Sequence, residues 1–197
     1  INNPKYPNTY VIGSRKFSPF ISEYKRLLLI SRPRFWMYPI GSVLIGIGAA
    51  GPLSEMISLY PIIILWLVYF SFPSNIFMYG INDTADTDTD KNNNKKGTYE
   101  VKIKEDENKL IIISIIITHI LFLPIIFTSS PLIIKLFLIY LLVNILYSLP
   151  PIRLKRIPIL DSISNGVICA AVGSIGYVIA GGTELMFFAI LAGGLWS

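Results

Sequence analysis

Residues 56–82 read MISLYPIIILWLVYFSFPSNIFMYGIN, 27 positions without one Asp, Glu, Lys or Arg. A helix needs about 20 apolar residues to cross the ~30 Å hydrocarbon core of a bilayer. This stretch meets that length, and the chain repeats the pattern on both sides of it. Uncharged blocks run over Phe35–Ser54 (20 residues), Leu110–Ile134 (25 residues) and Ser162–Thr183 (22 residues). Leu132–Leu149 makes another span if Lys135 snorkels to the interface. Leu185–Ser197 opens a sixth. Only 15% of the 197 residues are charged, against about 25% in soluble domains, and the mean hydropathy is +0.60. The expected fold is all-α, a multi-span transmembrane bundle. Its spans lie near 35–51, 56–80, 110–128, 132–149, 162–182 and 185–197.

The net charge of +5 does not point to nucleic acid, because position explains it. Seven basic residues precede the first span, six follow the second and three follow the fourth, which is 16 of 17. The alternate loops near 51–55, 128–131 and 181–184 hold none. The positive-inside rule makes the basic side cytoplasmic, with the N-terminus inside. Residues 1–19 are polar and rich in Pro and Asn, a flexible tail. Phe20–Ile30 mixes Leu27 and Leu28 with Lys25 and Arg26, the pattern of a short interfacial helix. Glycines 41, 46 and 48 are spaced to let membrane helices approach closely. One cysteine, Cys169, excludes an internal disulfide framework. The single histidine, His119, falls near the middle of the third span and reads as a satisfied bundle residue. The chain starts at Ile1 and stops inside an apolar run, so it reads as the N-terminal portion of a longer protein.

Chemistry concentrates where the second span ends, at Asn82-Asp83-Thr84-Ala85-Asp86-Thr87-Asp88-Thr89-Asp90. If the helix continues, Asn82, Asp86 and Asp90 share one face at i, i+4 and i+8, with Asp83 beside them. Like charges at that spacing repel, so a cation must offset them. Mg²⁺ takes hard oxygen ligands and commonly binds one or two carboxylates plus substrate phosphates. A solvated acidic loop is the plainer alternative. A calcium loop fails, because counting from Asp83 or from Asp86 neither its Gly nor its Glu position is met. A cation-binding transporter stays open as another class. Against it, Lys135 is the only charged residue inside a span, whereas transporters place such sites near the midplane.

Asn82-x-x-x-Asp86-x-x-x-Asp90 resembles the first aspartate-rich motif of the UbiA prenyltransferases, an intramembrane family. Ser31-Arg32-Pro33-Arg34-Phe35-Trp36 resembles the entry to that family's first helix. Tyr147-Ser148-Leu149-Pro150-Pro151-Ile152-Arg153-Leu154-Lys155 resembles its Tyr/Lys segment after the fourth. Within the family, Phe72–Asn75, Tyr79–Asp83, Lys95–Gly97 and Leu160–Gly166 are similar to the lycopene elongases. The resemblance implies prenyl transfer from an allylic diphosphate to a hydrophobic acceptor. That acceptor is lycopene, or else a quinone-precursor ring, a chlorophyll-type ring or an ether lipid. It implies Mg²⁺ held by Asn82, Asp83, Asp86 and Asp90, which are also the catalytic group. It implies diphosphate contacts from Lys155, Arg153, Tyr147 and Arg32. Asp161 and Asn165 join that set, although Asp161-Ser162 also reads as a helix N-cap. Phe77, Tyr79 and Tyr147 are aromatic candidates for holding a carbocation, and Arg34, Arg156 and Lys109 read as interfacial anchors. The family has nine helices and a second acidic motif after its sixth. Three helices and that motif would lie beyond Ser197, so this chain alone is not expected to be a competent enzyme.

Overall fold

The computed structural model describes residues 19–86, 103 and 107–183; the sixth apolar run lies outside them. Seven α-helices follow in order: α1 (Pro19–Ile30), α2 (Met37–Ala50), α3 (Tyr60–Phe70), α4 (Phe72–Ala85), α5 (Asn108–Thr128), α6 (Pro131–Ser148) and α7 (Pro158–Ile179). Short 3₁₀ turns connect several of them, and no strand occurs among the described residues. Among the described residues, four segments are long and apolar enough to cross a membrane: Met56–Ala85, Asn108–Thr128, Pro131–Ser148 and Pro158–Ile179. α2 is apolar but has only 14 residues, about 21 Å at 1.5 Å per residue.

The second span is not one helix. It breaks at Ser71, whose φ of −82° and ψ of −110° leave the helical region. Pro73 accounts for the break, since it has no N–H to donate back into the preceding turn. The buried Asn75 repairs part of the damage. Its side-chain amide donates to the carbonyls of Phe70 (3.0 Å) and Ser71 (2.6 Å). α4 then runs on to Ala85 and carries the acidic motif at its end.

The core lies between α2, α3, α4, α6 and α7. Trp66, Phe70 and Tyr140 are fully buried at its centre, with Phe77 and Phe137 beside them. α2 packs directly on α7. A Cβ built at Gly46 would stand 1.9 Å from the Gly173 carbonyl oxygen, and one at Gly176 would stand 2.3 Å from that of Val43. Of the three glycines expected to mediate close approach, only Gly46 does so; Gly41 and Gly48 face open space. α5 exposes Ile112, Ile113, Ile116, Ile117, Ile120 and Leu121, as a helix facing lipid does. His119, half-buried, lies at the edge of that face and contacts Tyr69 and Phe77. Its Nδ1–H donates to the Ile115 carbonyl at 2.8 Å, and the Tyr69 hydroxyl donates to its Nε2 at 3.0 Å. It is a satisfied bundle histidine, as expected.

α1 is tied to this core. Leu27 and Ile30 pack with Ile76 of α4 and Ile111 of α5. Arg26 of α1 also pairs with Glu107 at the entrance to α5. Together these contacts fasten α1 to both α4 and α5.

Candidate active site

The site forms at the C-terminal end of α4, where two basic segments close on it. Each segment begins with an arginine in the left-handed region and continues as a three-residue 3₁₀ turn. Arg32 (φ 51°, ψ 70°) precedes Pro33–Phe35, and Arg153 (φ 45°, ψ 64°) precedes Leu154–Arg156. That conformation costs an L-residue roughly 1–2 kcal/mol, so tertiary contacts must hold it. The contacts are ionic. Arg32 Nη2 donates to both carboxylate oxygens of Asp83, at 2.9 and 3.1 Å. Its guanidinium also lies over the Tyr79 ring, 4.7 Å from the centroid. Arg153 Nη2 donates to the Ala85 carbonyl, and its Nη1 stands 3.9 Å from Asp86 Oδ1. That bond satisfies one of the carbonyls a helix leaves open at its C-terminus, where the dipole favours a cation.

Lys155 completes the enclosure. Its ammonium donates to Asn82 Oδ1 at 2.5 Å and also to Asp86 Oδ2. Asn82 and Asp86 therefore do share a face, as the i, i+4 spacing demands. The helix itself stops at Ala85, with Asp86 as its C-cap. Asp83 points elsewhere and is 3% exposed against Arg32. Asp90 lies outside the described residues.

Tyr147 stands near the end of α6, beside Asp161 and Asn165 of α7. Asn165 in turn donates to the Asp161 carbonyl (3.0 Å) and carboxylate (3.3 Å). The N-cap alternative for Asp161 is corrected here. α7 begins three residues earlier with Pro158, pre-set for a first helical position, and Ile157 is its cap. Asp161 thus belongs to the first turn and faces Tyr147. Tyr79 turns out to be a platform for Arg32, and its ring face is already taken by that guanidinium. Arg34, Lys109 and Arg156 are exposed. Sequence reasoning missed the Ala85 carbonyl, because a backbone acceptor leaves no trace in residue identity. The left-handed arginines were equally invisible, since nothing in their side chains requires that backbone.

The residues fit a hard divalent cation. Asn82 Oδ1 and Asp86 Oδ2 are oxygen donors that already converge on one positive atom, Lys155 Nζ. Among the described residues, no three His, Cys, Asp or Glu side chains meet at one point. Among the described residues the donor set is one carboxylate and one amide, fewer oxygens than an octahedral Mg²⁺ takes.

The family model of the UbiA prenyltransferases matches residues 40–197, most of the chain. The chain belongs to the UbiA prenyltransferase family. It is 37% identical over 175 residues to a lycopene elongase/hydratase of Haloarcula japonica, an alignment covering 87% of this chain and 57% of that protein. It is 32% identical over 173 residues to a lycopene elongase/hydratase of Haloferax volcanii, covering 87% and 56%. A C(50) beta-cyclic carotenoids biosynthesis protein of Dietzia sp. is 29% identical over 136 residues, covering 68% and 30%. The chain thus spans little more than half the length of these two lycopene elongase/hydratases. No solved structure matches it significantly. UbiA membership and four membrane-length apolar segments among the described residues make this an integral membrane protein.

Proposed function

We propose that the protein of which this chain is part transfers a prenyl group from an allylic diphosphate to a lycopene-like polyene, extending it toward a C50 carotenoid. One observation carries the reading. Asn82 and Asp86 emerge at the end of a membrane helix and meet Arg153 and Lys155 there, with Arg32 anchored beside them. Carboxylate, amide and clustered cations gathered at one helix end suit a metal-bound diphosphate. The choice of acceptor is supported by the relatives named lycopene elongase/hydratase.

Asn82 and Asp86, with Asp90, would hold Mg²⁺. The ion would neutralise charge developing on the departing diphosphate and orient it. This chain's own side chains do the remaining work. Arg153 offers a planar fork held in place by the Ala85 carbonyl, suited to two phosphate oxygens. Lys155 supplies a point charge on a flexible stem. Arg32 fixes Asp83 and, stacked on Tyr79, keeps a positive charge at the mouth. Tyr147, with Asp161 and Asn165, supplies hydroxyl and amide groups on the α7 side. The apolar bundle excludes water from the allylic cation, which water would otherwise quench. By the positive-inside distribution, this mouth opens on the cytoplasmic side.

The test uses membranes containing the full-length protein, labelled dimethylallyl diphosphate and Mg²⁺, with lycopene offered beside a quinone precursor and an ether lipid. Label should enter the carotenoid. Label in the ring or ether product alone would refute the polyene reading. Label in none of them would refute prenyl transfer to these acceptors altogether.

A further inference from the structure

Lys155 occupies the place between Asn82 and Asp86 that the reading above gives to a metal. Both of its hydrogen bonds go to the two prospective ligand oxygens, Asn82 Oδ1 and Asp86 Oδ2. We infer that Lys155 is an internal counter-ion, displaced only when metal and diphosphate arrive together, so that the two bind cooperatively. The inference rests on the metal-assisted reading and adds the order in which its charges must move.

The argument is electrostatic. Asp83 is already matched by Arg32, which leaves Asp86 facing two cations, Lys155 and Arg153. The side chains of Arg153, Lys155 and Asp86 are only 14%, 15% and 19% exposed, so water screens them poorly. A bare divalent ion entering here meets two positive neighbours within a few ångströms. It must also break both hydrogen bonds of the ammonium. A diphosphate changes that balance, because it gives the displaced ammonium a new anionic partner.

The two cations differ in freedom. Arg153 is held by the Ala85 carbonyl and by a left-handed backbone. Lys155 has a four-carbon stem, and each hydrogen bond it makes is to a prospective metal ligand. Lys155 is therefore the group that swings, from the ligand oxygens to a phosphate oxygen. By linkage, whatever diphosphate adds to metal affinity, metal adds equally to diphosphate affinity. The arrangement keeps the carboxylate matched in the resting protein and resists occupation by metal alone.

The experiment titrates the full-length protein in nanodiscs with Mg²⁺, alone and with saturating inorganic diphosphate. Protein-free titrations correct for the complex that the two form in solution. In the wild-type protein, diphosphate should tighten Mg²⁺ binding by at least about tenfold. Lys155→Gln should bind Mg²⁺ alone about tenfold more tightly than wild type, and its gain on adding diphosphate should shrink. Lys155→Arg keeps the charge and should bind Mg²⁺ alone as weakly as wild type. The inference is overturned if Lys155→Gln binds Mg²⁺ alone no better than wild type. It is equally overturned if the wild-type protein binds Mg²⁺ just as well without diphosphate, an arm that depends on no variant folding. If Mg²⁺ binds in no arm at all, the metal-assisted reading falls, and this inference with it.

Discussion

Arg32 and Asp83, 51 residues apart, are joined through one guanidinium nitrogen that reaches both carboxylate oxygens at 2.9 and 3.1 Å. The pair links the entrance of α2 to the end of α4, and its side chains keep only 13% and 3% of their exposure. Removing one partner of such a pair leaves the other buried without its counter-charge, which costs about 3–5 kcal/mol. Asp83→Ala should therefore destabilise the protein by roughly 3 kcal/mol. Arg32→Met combined with Asp83→Leu should recover much of that loss. Thermal unfolding of the purified variants in one detergent, read as a double-mutant cycle, measures both.

Asn82 and Asp86 should matter to turnover more than to folding, because Asp86 caps the end of α4 with 19% of its side chain exposed, against 3% for Asp83. Asp86→Asn in the full-length protein should lower prenyl transfer by at least about 100-fold, a loss of roughly 2.7 kcal/mol in transition-state stabilisation. Lys109→Ala changes an exposed cation outside the site and should leave the rate within about twofold. Initial rates with labelled allylic diphosphate, normalised to inserted protein, decide between these outcomes.

Chelation tests the metal separately. EDTA should stop product formation in the full-length protein, and added Mg²⁺ should restore it, while helix content by far-UV circular dichroism stays constant. Activity that persists after exhaustive chelation would remove divalent metal from the mechanism.

Gly46 should tolerate no side chain. A Cβ there would lie 1.9 Å from the Gly173 carbonyl oxygen, an approach that only separation of α2 from α7 can relieve. Gly46→Val should cost about 3 kcal/mol or more. Gly48→Val faces open space and should change stability by less than about 1 kcal/mol. The two variants differ by one helical half-turn and are compared by the same detergent melt.

Asn75 supports the broken helix through two side-chain hydrogen bonds to carbonyls of residues 70 and 71. Asn75→Leu removes the side-chain donor to the buried Phe70 carbonyl, while the Ser71 carbonyl keeps the backbone N–H of residue 75 at 3.3 Å, and should destabilise by about 1–2 kcal/mol. Hydrogen exchange should show the loss concentrated at the α3–α4 junction rather than spread over the bundle.

Much of this was readable beforehand. Uncharged blocks long enough to cross a bilayer identified the helices at 108–128, 131–148 and 158–179 to within a few residues. The i, i+4 spacing of Asn82 and Asp86 placed both on one face, and Lys155 binds both. Arg32, Arg153 and Lys155 were identified by motif, and the fold brings all three to the end of α4. The break at Ser71 was not foreseen, although Pro73 stood in plain view. A proline permits a break in a membrane helix, but only a partner such as Asn75 makes that break stable.

Helix position and membrane character follow from local composition, because a bilayer rewards any long uncharged run that satisfies its own backbone. The sequence therefore determined which segments span and which residue types wait at their ends. It did not determine who meets whom. Arg32 rests on Tyr79 and Asp83, Arg153 on a bare carbonyl, and Lys155 between Asn82 and Asp86. Those pairings join residues some 50 to 70 positions apart and rest on two left-handed arginine backbones. Only the packing of α1, α4, α6 and α7 fixes such distances, since charge alone would accept any of several partners.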